Sequence, residues 1–201
     1  MSQINKKDIT GIILAGGKSS RMGRDKALFD FKGKKLVSYA IEALKPLCGT
    51  LMISANQTLE DYRTFGFPVI SDEIKEVGPM GGILTCLKHS HTQRNLIISC
   101  DTPFVGSELF RHLLSEIENF QIVVPSHETF LIEPLNAYYN TNIIGEMEKS
   151  IREGNYKLMD FFKKIRFKSV EINENLPFYN EHLFTNINTL DDMNQAKSIN
   201  P

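Results

Sequence analysis

Short apolar runs alternate with helix-like segments along nearly the whole chain. The first run, Ile9–Leu14, is rich in β-branched residues and is followed directly by a pair of glycines. Residues 34–47 then show helical apolar spacing, and later apolar runs end at Ser54, Ile70 and Ser99. This alternation predicts an α/β fold, with a Rossmann-like, mainly parallel sheet and helices on both faces. Ligands of such sheets bind beyond the carboxyl ends of the strands, so residues directly after the strands should be the informative ones.

The same patterns predict the remaining elements. We expect a capping pair of Thr189 and Asp192 at the start of a last helix, and Ser107 as the N-cap of an earlier one. The predicted strands after the first are 51–54, 69–70, 96–99, 122–124, 136–139, 167–172 and 184–187. The predicted helices are 34–47, 81–88, 107–118, 142–152, 157–164 and 189–197.

Length, charge and cysteine content limit the kinds of protein that this sequence can encode. We expect the 201 residues, 1–201, to form a single domain. With 23 basic and 24 acidic residues the formal net charge is −1, which disfavours a nucleic-acid binder. The sequence has neither a signal-peptide pattern nor an apolar window that could span a membrane, and its three cysteines lack metal-ligand spacing. These features predict a cytoplasmic protein with reduced thiols.

The segment after the first strand has the composition of an anion site. Gly16 and Gly17 permit a sharp turn whose backbone N–H groups can converge on one spot. Lys18, Arg21 and Lys26 add positive charge within the same loop, and arginine and lysine both pair with phosphate oxygens. The loop therefore predicts a binding site for a nucleoside triphosphate.

Two familiar phosphate-binding motifs are excluded at this loop. The dinucleotide pattern G-x-G-x-x-G is absent because the two glycines are adjacent. The Walker pattern needs a glycine five places before the Gly17-Lys18 pair, where this chain has Ile12.

Asp101 follows the apolar run that ends at Ser99 and should face the same crevice. Magnesium commonly takes one or two carboxylates and completes its octahedron with phosphate oxygens and waters. A lone strand-end aspartate is more often a helix cap than a metal ligand, but opposite a phosphate loop it is a candidate Mg²⁺ ligand. We predict no covalent nucleophile, since phosphoryl-type transfer depends on positioning and charge neutralisation.

Residues 14–26 resemble the signature LAGG-x-S-x-RMG-x-DK of the nucleotidyltransferase family that includes the molybdenum cofactor guanylyltransferases (MobA-type), and they match every fixed position. The resemblance implies a nucleotide-diphospho-sugar transferase-like sheet. It implies that Arg21 and Lys26 neutralise phosphate charge as catalytic residues, and that Asp101, in a CDTPF string similar to the family's metal segment, binds both magnesium and the nucleotide. It also implies backbone contacts to the nucleotide from the loop residues Leu14, Ala15, Gly16 and Gly17.

Later segments also resemble the family. Asn56 and Asp72, each after a predicted strand, match positions that contact the nucleoside; a turn residue bonded to its own backbone is the alternative for each. The turn from Gly78 to Gly82 resembles the GPL-x-G segment that approaches the base, although it could be a simple strand-to-helix turn. Residues 186–192 are similar to N-[VI]-N-T-P-x-[DE], with Leu in place of Pro. That match implies that the acceptor-binding residues are Asn186 and Asn188.

The resemblance implies transfer of GMP from GTP to the molybdenum-pterin cofactor, with release of pyrophosphate. It also implies partner proteins that make or use that cofactor. One alternative is a cytidylyltransferase acting on the same or another phosphorylated small molecule, because the first loop would look much the same. Another is a non-catalytic nucleotide-binding regulatory protein, which would need the loop but not a correctly placed carboxylate.

Overall fold

The computed structural model describes residues 4–16, 25–127 and 131–199. The strands of this part are β1 Ile9–Leu14, β2 Asp30–Phe31, β3 Lys34–Lys35, β4 Thr50–Ser54, β5 Val69–Ile70, β6 Arg94–Ser99, β7 Ile122–His127, β8 Leu131–Ile132, β9 Ala137–Asn140 and β10 Phe167–Glu171. The α-helices are α1 Leu36–Leu44, α2 Leu59–Arg63, α3 Pro79–His89, α4 Ser107–Ser115, α5 Ile144–Arg152, α6 Leu158–Phe162 and α7 Leu190–Lys197. None of these helices has the length and apolarity that a membrane crossing needs.

The main sheet has the order β10-β7-β9-β6-β1-β4-β5, with β8 paired to β7. Strand β9 runs antiparallel to both of its neighbours, β8 runs antiparallel to β7, and the other pairs are parallel. The predicted α/β fold is confirmed. Because β6 and β7 both run antiparallel to β9, the strands β6, β7 and β10 point the same way as β1, β4 and β5, and their carboxyl ends share one edge. The chain runs outward from β1 to β5 and returns on the other side of β1 as β6, which opens a crevice between β1 and β6.

Strand β1 is central, and all six of its residues are buried. Successive side chains of a strand point to opposite faces, so Ile12 and Ile13 enter different cores. Ile13 packs with the α1 and α4 side chains, including Val37. Ile12 packs on the other face with α3 and α5, including Ile83. Burial on both faces explains why this strand is apolar throughout.

Several predicted boundaries are wrong, for local reasons. The helix predicted from 34 begins only at Leu36, because Lys34–Lys35 pairs with Asp30–Phe31 in a two-stranded ribbon. Ser107 is the first helical residue and Gly106 is the N-cap; the Ser107 hydroxyl bonds to the Glu108 carboxylate instead.

Two predictions concern the C-terminal segment, of which one is wrong and the other is confirmed. Residues 184–187 do not form a strand. Ile187 is apolar because it packs with Phe31 and Met193 in a small separate core. The predicted capping pair is confirmed, since the Thr189 side chain accepts from the Asp192 N–H and the Asp192 carboxylate accepts from the Thr189 N–H.

Candidate active site

A cation and a carboxylate from distant parts of the chain meet at the end of β6. Lys26 begins a 3-10 turn, which Asp25 caps by accepting a hydrogen bond from the Ala27 N–H at 3.3 Å. Asp101 comes two residues after β6. The Lys26 ammonium donates to the Asp101 Oδ2 at 2.8 Å, and the two side chains are 17% and 19% exposed. The structure therefore brings together the loop cation and the strand-end carboxylate that the sequence singled out.

A third chain segment joins this pair. The Lys26 Nζ also donates to the Asn188 Oδ1 at 2.8 Å. The neighbouring Ile187 N–H donates to the Asp101 carbonyl oxygen, also at 2.8 Å. The segment before α7 thus lies directly against the Lys26–Asp101 pair.

Asp192 holds the Asn188 loop in place. Its Oδ2 accepts hydrogen bonds from the N–H groups of Asn188 and Thr189, both at 2.8 Å. The hydrogen bond from the Asn188 backbone is the largest influence on the pKa of Asp192, and the pKa is lowered. The carboxylate is therefore preferred in the folded state.

We expect Asp192→Ala to lower the free energy of unfolding by about 1 kcal/mol at neutral pH, the usual cost of losing a helix cap. The lowered pKa means that this contribution is complete above the ordinary aspartate pKa of about 3.9 and is lost as the pH falls through the lower folded value. Urea unfolding of the wild type and Asp192→Ala at several pH values checks this. A difference that grows with acidification would contradict it.

Asp101 is also contacted from its own strand. The Ser99 hydroxyl donates to the Asp101 Oδ1. Cys100 between them is 3% exposed, and burial, with Asp101 nearby, raises the pKa of its thiol well above the usual value. The Cys100 thiol therefore stays protonated, and a protonated thiol is a poor nucleophile.

A second polar cluster lies on the other side of β1. The Asn56 Nδ2 donates to the Asp72 Oδ2 and the Asp72 N–H donates to the Asn56 Oδ1, both at 2.8 Å. The Ser54 hydroxyl donates to the Asp72 Oδ1 at 3.3 Å. Two residues predicted separately from strand ends are therefore one hydrogen-bonded pair. The alternative that each bonds only its own local backbone is wrong, because they bond each other across 16 residues.

The N–H group of the first glycine of the loop is hydrogen-bonded to the end of β4. The N–H groups of Ala15 and Gly16 both donate to the Ser54 carbonyl oxygen, at 2.9 and 3.1 Å. The Gly16 N–H therefore continues the pairing between β1 and β4, and the backbone approach of Leu14, Ala15 and Gly16 to a nucleotide stays a prediction. Gly17 and Arg21 lie outside the described residues.

The predicted glycine turn, residues 78–82, is the N-cap and first turn of α3, and it packs against the Asn56–Asp72 pair. Gly78 is the N-cap of α3 and has φ 62°, a backbone conformation that favours glycine. A Cβ on Gly82 would lie 3.1 Å from both the Asp72 Oδ1 and the Ser54 Oγ. A methyl group at position 82 would therefore press on the Asp72 and Ser54 side chains.

A cavity of about 460 Å³ lies at the carboxyl ends of β7 and β10. Its lining includes His127, Phe184, Tyr179 and Glu171. The His127 ring stacks on Phe184 with centroids 4.6 Å apart, and its Nε2 lies 3.0 Å from the Glu133 Oε1. Phe184 in the lining lies four residues before Asn188, the residue that contacts Lys26.

Sequence reasoning missed the side chains that orient Asp101 and Asp72. Ser54 and Ser99 are the last residues of β4 and β6, and each donates to one of these carboxylates. Their position at the ends of strands could have marked them as site residues, but serine is too common at such positions to be informative. Asn136, which contacts the Asp101 turn, follows an irregular segment and carried no such signal.

Comparisons with known proteins agree with this arrangement. Residues 11–170 match the family model of the MobA-like NTP transferase domain. A probable molybdenum cofactor guanylyltransferase of Flavobacterium johnsoniae is 35% identical over 187 residues, which cover 92% of this chain and 95% of the relative. The crystal structure of molybdopterin-guanine dinucleotide biosynthesis protein A from Archaeoglobus fulgidus matches with a TM-score of 0.77 and 27% identity, over 94% of this chain and 96% of that one.

A more distant match shows the fold alone. The 4-diphosphocytidyl-2C-methyl-D-erythritol synthase of Anaerococcus prevotii has a TM-score of 0.73 at 14% identity, and the alignment covers 96% of each chain. The family assignment rests instead on the matches at 35% and 27% identity and on the family model, which spans most of the sheet. The chain therefore belongs to the MobA-like NTP transferase family and, within it, to the group of the molybdenum cofactor guanylyltransferases.

Proposed function

We propose that this protein transfers GMP from GTP to the phosphate of a molybdenum-pterin cofactor and releases pyrophosphate. The observation that carries this proposal is the contact of Lys26 with both Asp101 and Asn188, at 2.8 Å each. It brings a phosphate-loop cation, a candidate metal ligand and a candidate acceptor residue to one point. The family's substrates, known from the names of its members, supply the chemical identity of the reactants.

The residues around Asp101 fit a magnesium ion that is shared with a nucleotide. Among the described residues, no three His, Cys, Asp or Glu side chains cluster closely enough to hold a metal. Magnesium bound through one carboxylate, with phosphate oxygens and waters, needs no such cluster. The Asp101 Oδ2 is already paired with a cation, the Lys26 ammonium. A metal ion could take the place of that ammonium beside the same oxygen. Bound there, Mg²⁺ would neutralise charge on the triphosphate.

In the proposed reaction an oxygen of the acceptor's terminal phosphate forms a bond to the α-phosphorus of GTP. The bond from that phosphorus to the oxygen bridging to the β-phosphate breaks, and pyrophosphate leaves with the electron pair. Lys26 would move from Asp101 to the phosphates, where its charge stabilises the departing group. Asn188 would orient the acceptor and the lysine together.

The Asn56–Asp72 pair is proposed to bind the nucleoside. Both Asp72 oxygens retain a free lone pair after accepting from Ser54 and Asn56, so the carboxylate can accept from guanine N–H groups or from ribose hydroxyls. The mutual hydrogen bonds fix the carboxylate before the nucleotide arrives, which lowers the entropy cost of binding.

We expect Gly82→Ala to raise the KM for GTP about tenfold with a smaller change in kcat, because the new methyl group displaces Asp72 from its position. Gly145→Ala in α5 is the matched control, since a Cβ there meets nothing within 4 Å. It should leave both constants unchanged and increase helix stability by up to about 1 kcal/mol. Equal KM values for the two variants would show that Asp72 does not contribute to nucleotide binding.

The acceptor is proposed to lie along residues 184–188. Asn186 and Asn188 are both exposed, and the Asn186 Nδ2 donates within the segment to the Phe184 carbonyl oxygen at 3.4 Å. Phe184, the first residue of this segment, also lines the cavity at the ends of β7 and β10. An acceptor whose phosphate reaches Asp101 would therefore extend along these residues.

The decisive experiment compares GTP with CTP in the presence of Mg²⁺ and the molybdenum-pterin acceptor, with pyrophosphate release as the readout. A kcat/KM at least about tenfold higher with GTP supports guanylyl transfer. Preference for CTP would assign the chain to the cytidylyltransferases. Nucleotide binding without pyrophosphate release from either substrate would assign it a regulatory role.

A further inference from the structure

Three buried polar side chains converge on the turn that carries Asp101. Ser99, Thr102 and Asn136 are 9%, 2% and 1% exposed. Burying polar groups costs free energy unless they are hydrogen-bonded. Their concentration at one turn of the protein, beside the candidate metal ligand, points to a role beyond packing.

Asn136 bonds to both ends of this turn. Its Oδ1 accepts from the Thr102 hydroxyl at 3.0 Å and from the Ser99 N–H at 3.4 Å. The orientation of the amide is fixed, because a backbone N–H can donate only to the oxygen. Asn136 itself is anchored by its own N–H, which donates to the Glu133 carbonyl oxygen at 3.1 Å.

These bonds determine how the Asp101 carboxylate is presented. With Ser99 and Thr102 held, the Asp101 side chain between them lies against the Lys26 ammonium, while Cys100 stays buried in the core. The Ser99 hydroxyl then reaches the Asp101 Oδ1, and the Oδ2 is left facing the Lys26 ammonium at 2.8 Å. Asn136 touches neither Asp101 nor Lys26, so it acts through the turn.

We propose that Asn136 is a positioning residue that sets the orientation of the Asp101 carboxylate for the metal–nucleotide complex. This inference rests on the proposed function, in which Asp101 is the metal ligand. Outer hydrogen-bond partners of metal ligands typically change metal affinity or activity by about 10- to 100-fold when they are removed.

The test is Asn136→Leu, which keeps the number and branching of the side-chain heavy atoms and removes the acceptor oxygen. We expect the Mn²⁺ concentration for half-saturation, measured by electron paramagnetic resonance with GTP bound, to rise at least about tenfold. GTP affinity measured without metal should stay within about twofold. Because metal binding is read directly, the test works even if the transfer reaction is not the proposed one.

Asn95→Leu is the matched control. Asn95 is also a fully buried asparagine, and its Nδ2 donates to the Tyr139 carbonyl oxygen at 3.3 Å. It lies four residues before Ser99 on β6, about 13 Å from it at the rise of a strand. A loss of folding stability without a change in Mn²⁺ binding is expected for this variant.

Thr102→Val provides a second test if Asn136→Leu does not fold. It removes the hydroxyl, which lies 3.0 Å from the Asn136 Oδ1 and 3.2 Å from the Ser99 carbonyl oxygen, both in the same turn. We expect a smaller shift of Mn²⁺ binding in the same direction. A double variant that is no worse than Asn136→Leu would show that the two groups act as one unit. Unchanged Mn²⁺ binding in a folded Asn136→Leu or Thr102→Val protein, or an equal shift with Asn95→Leu, would overturn the proposal.

Discussion

Asp101→Ala is expected to lower kcat/KM for nucleotidyl transfer by at least about a thousandfold, since charge stabilisation by positioned groups supplies most of the catalysis in phosphoryl-type reactions. The fold should persist, because the lost ion pair with Lys26 is partly exposed. Pairs of this kind contribute at most about 1 kcal/mol, so the melting temperature should change by less than about 4 °C. Pyrophosphate release and circular dichroism during heating provide the two readouts.

Asp160→Ala is the control for this variant. Asp160 also pairs with a lysine, its Oδ1 lying 2.7 Å from the Lys163 Nζ, but the pair lies on the exposed surface of α6. We expect transfer at the wild-type rate from this variant. An Asp101→Ala enzyme that keeps its activity would refute the assignment of Asp101 as the metal ligand.

Lys26→Met is expected to strengthen metal binding in the absence of nucleotide and to slow nucleotidyl transfer in its presence. Without nucleotide, the variant should bind Mn²⁺ more tightly than the wild type, because the ammonium 2.8 Å from the Asp101 Oδ2 no longer competes for the carboxylate. With GTP present, transfer should fall by about a hundredfold to a thousandfold, the usual cost of one positioned donor. Mn²⁺ titration with and without GTP, alongside pyrophosphate release, measures both effects.

Lys168→Met serves as the control for the lysine. Its Nζ lies 2.7 Å from the Glu116 Oε2, a pair as close as Lys26–Asp101 but on β10, remote from the crevice. This variant should bind metal and transfer GMP as the wild type does. Weaker Mn²⁺ binding by nucleotide-free Lys26→Met would contradict the proposal that Lys26 competes with the metal ion.

The sequence by itself determined the fold class and the position of the candidate site residues at the ends of strands. The apolar run of β1 predicted a strand with the bounds that the structure shows, because burial on both faces demands an unbroken apolar segment. Asp101 and Asp72 were found by their position directly after apolar runs. The Thr189–Asp192 capping pair was predicted because its hydrogen bonds span only three residues.

Contacts between distant segments were decided only by the tertiary structure. Lys26 reaches Asp101 across 75 residues and Asn188 across 162, and the sequence pattern contains no information on which strand end faces which loop. The use of the Gly16 N–H by Ser54 follows from the pairing of β1 with β4, which is a property of strand order. Spacing along the chain encodes helices, strands and caps because their hydrogen bonds and side-chain periods are local, whereas the partners of Lys26, Asp101 and Asn136 depend on how the sheet is assembled.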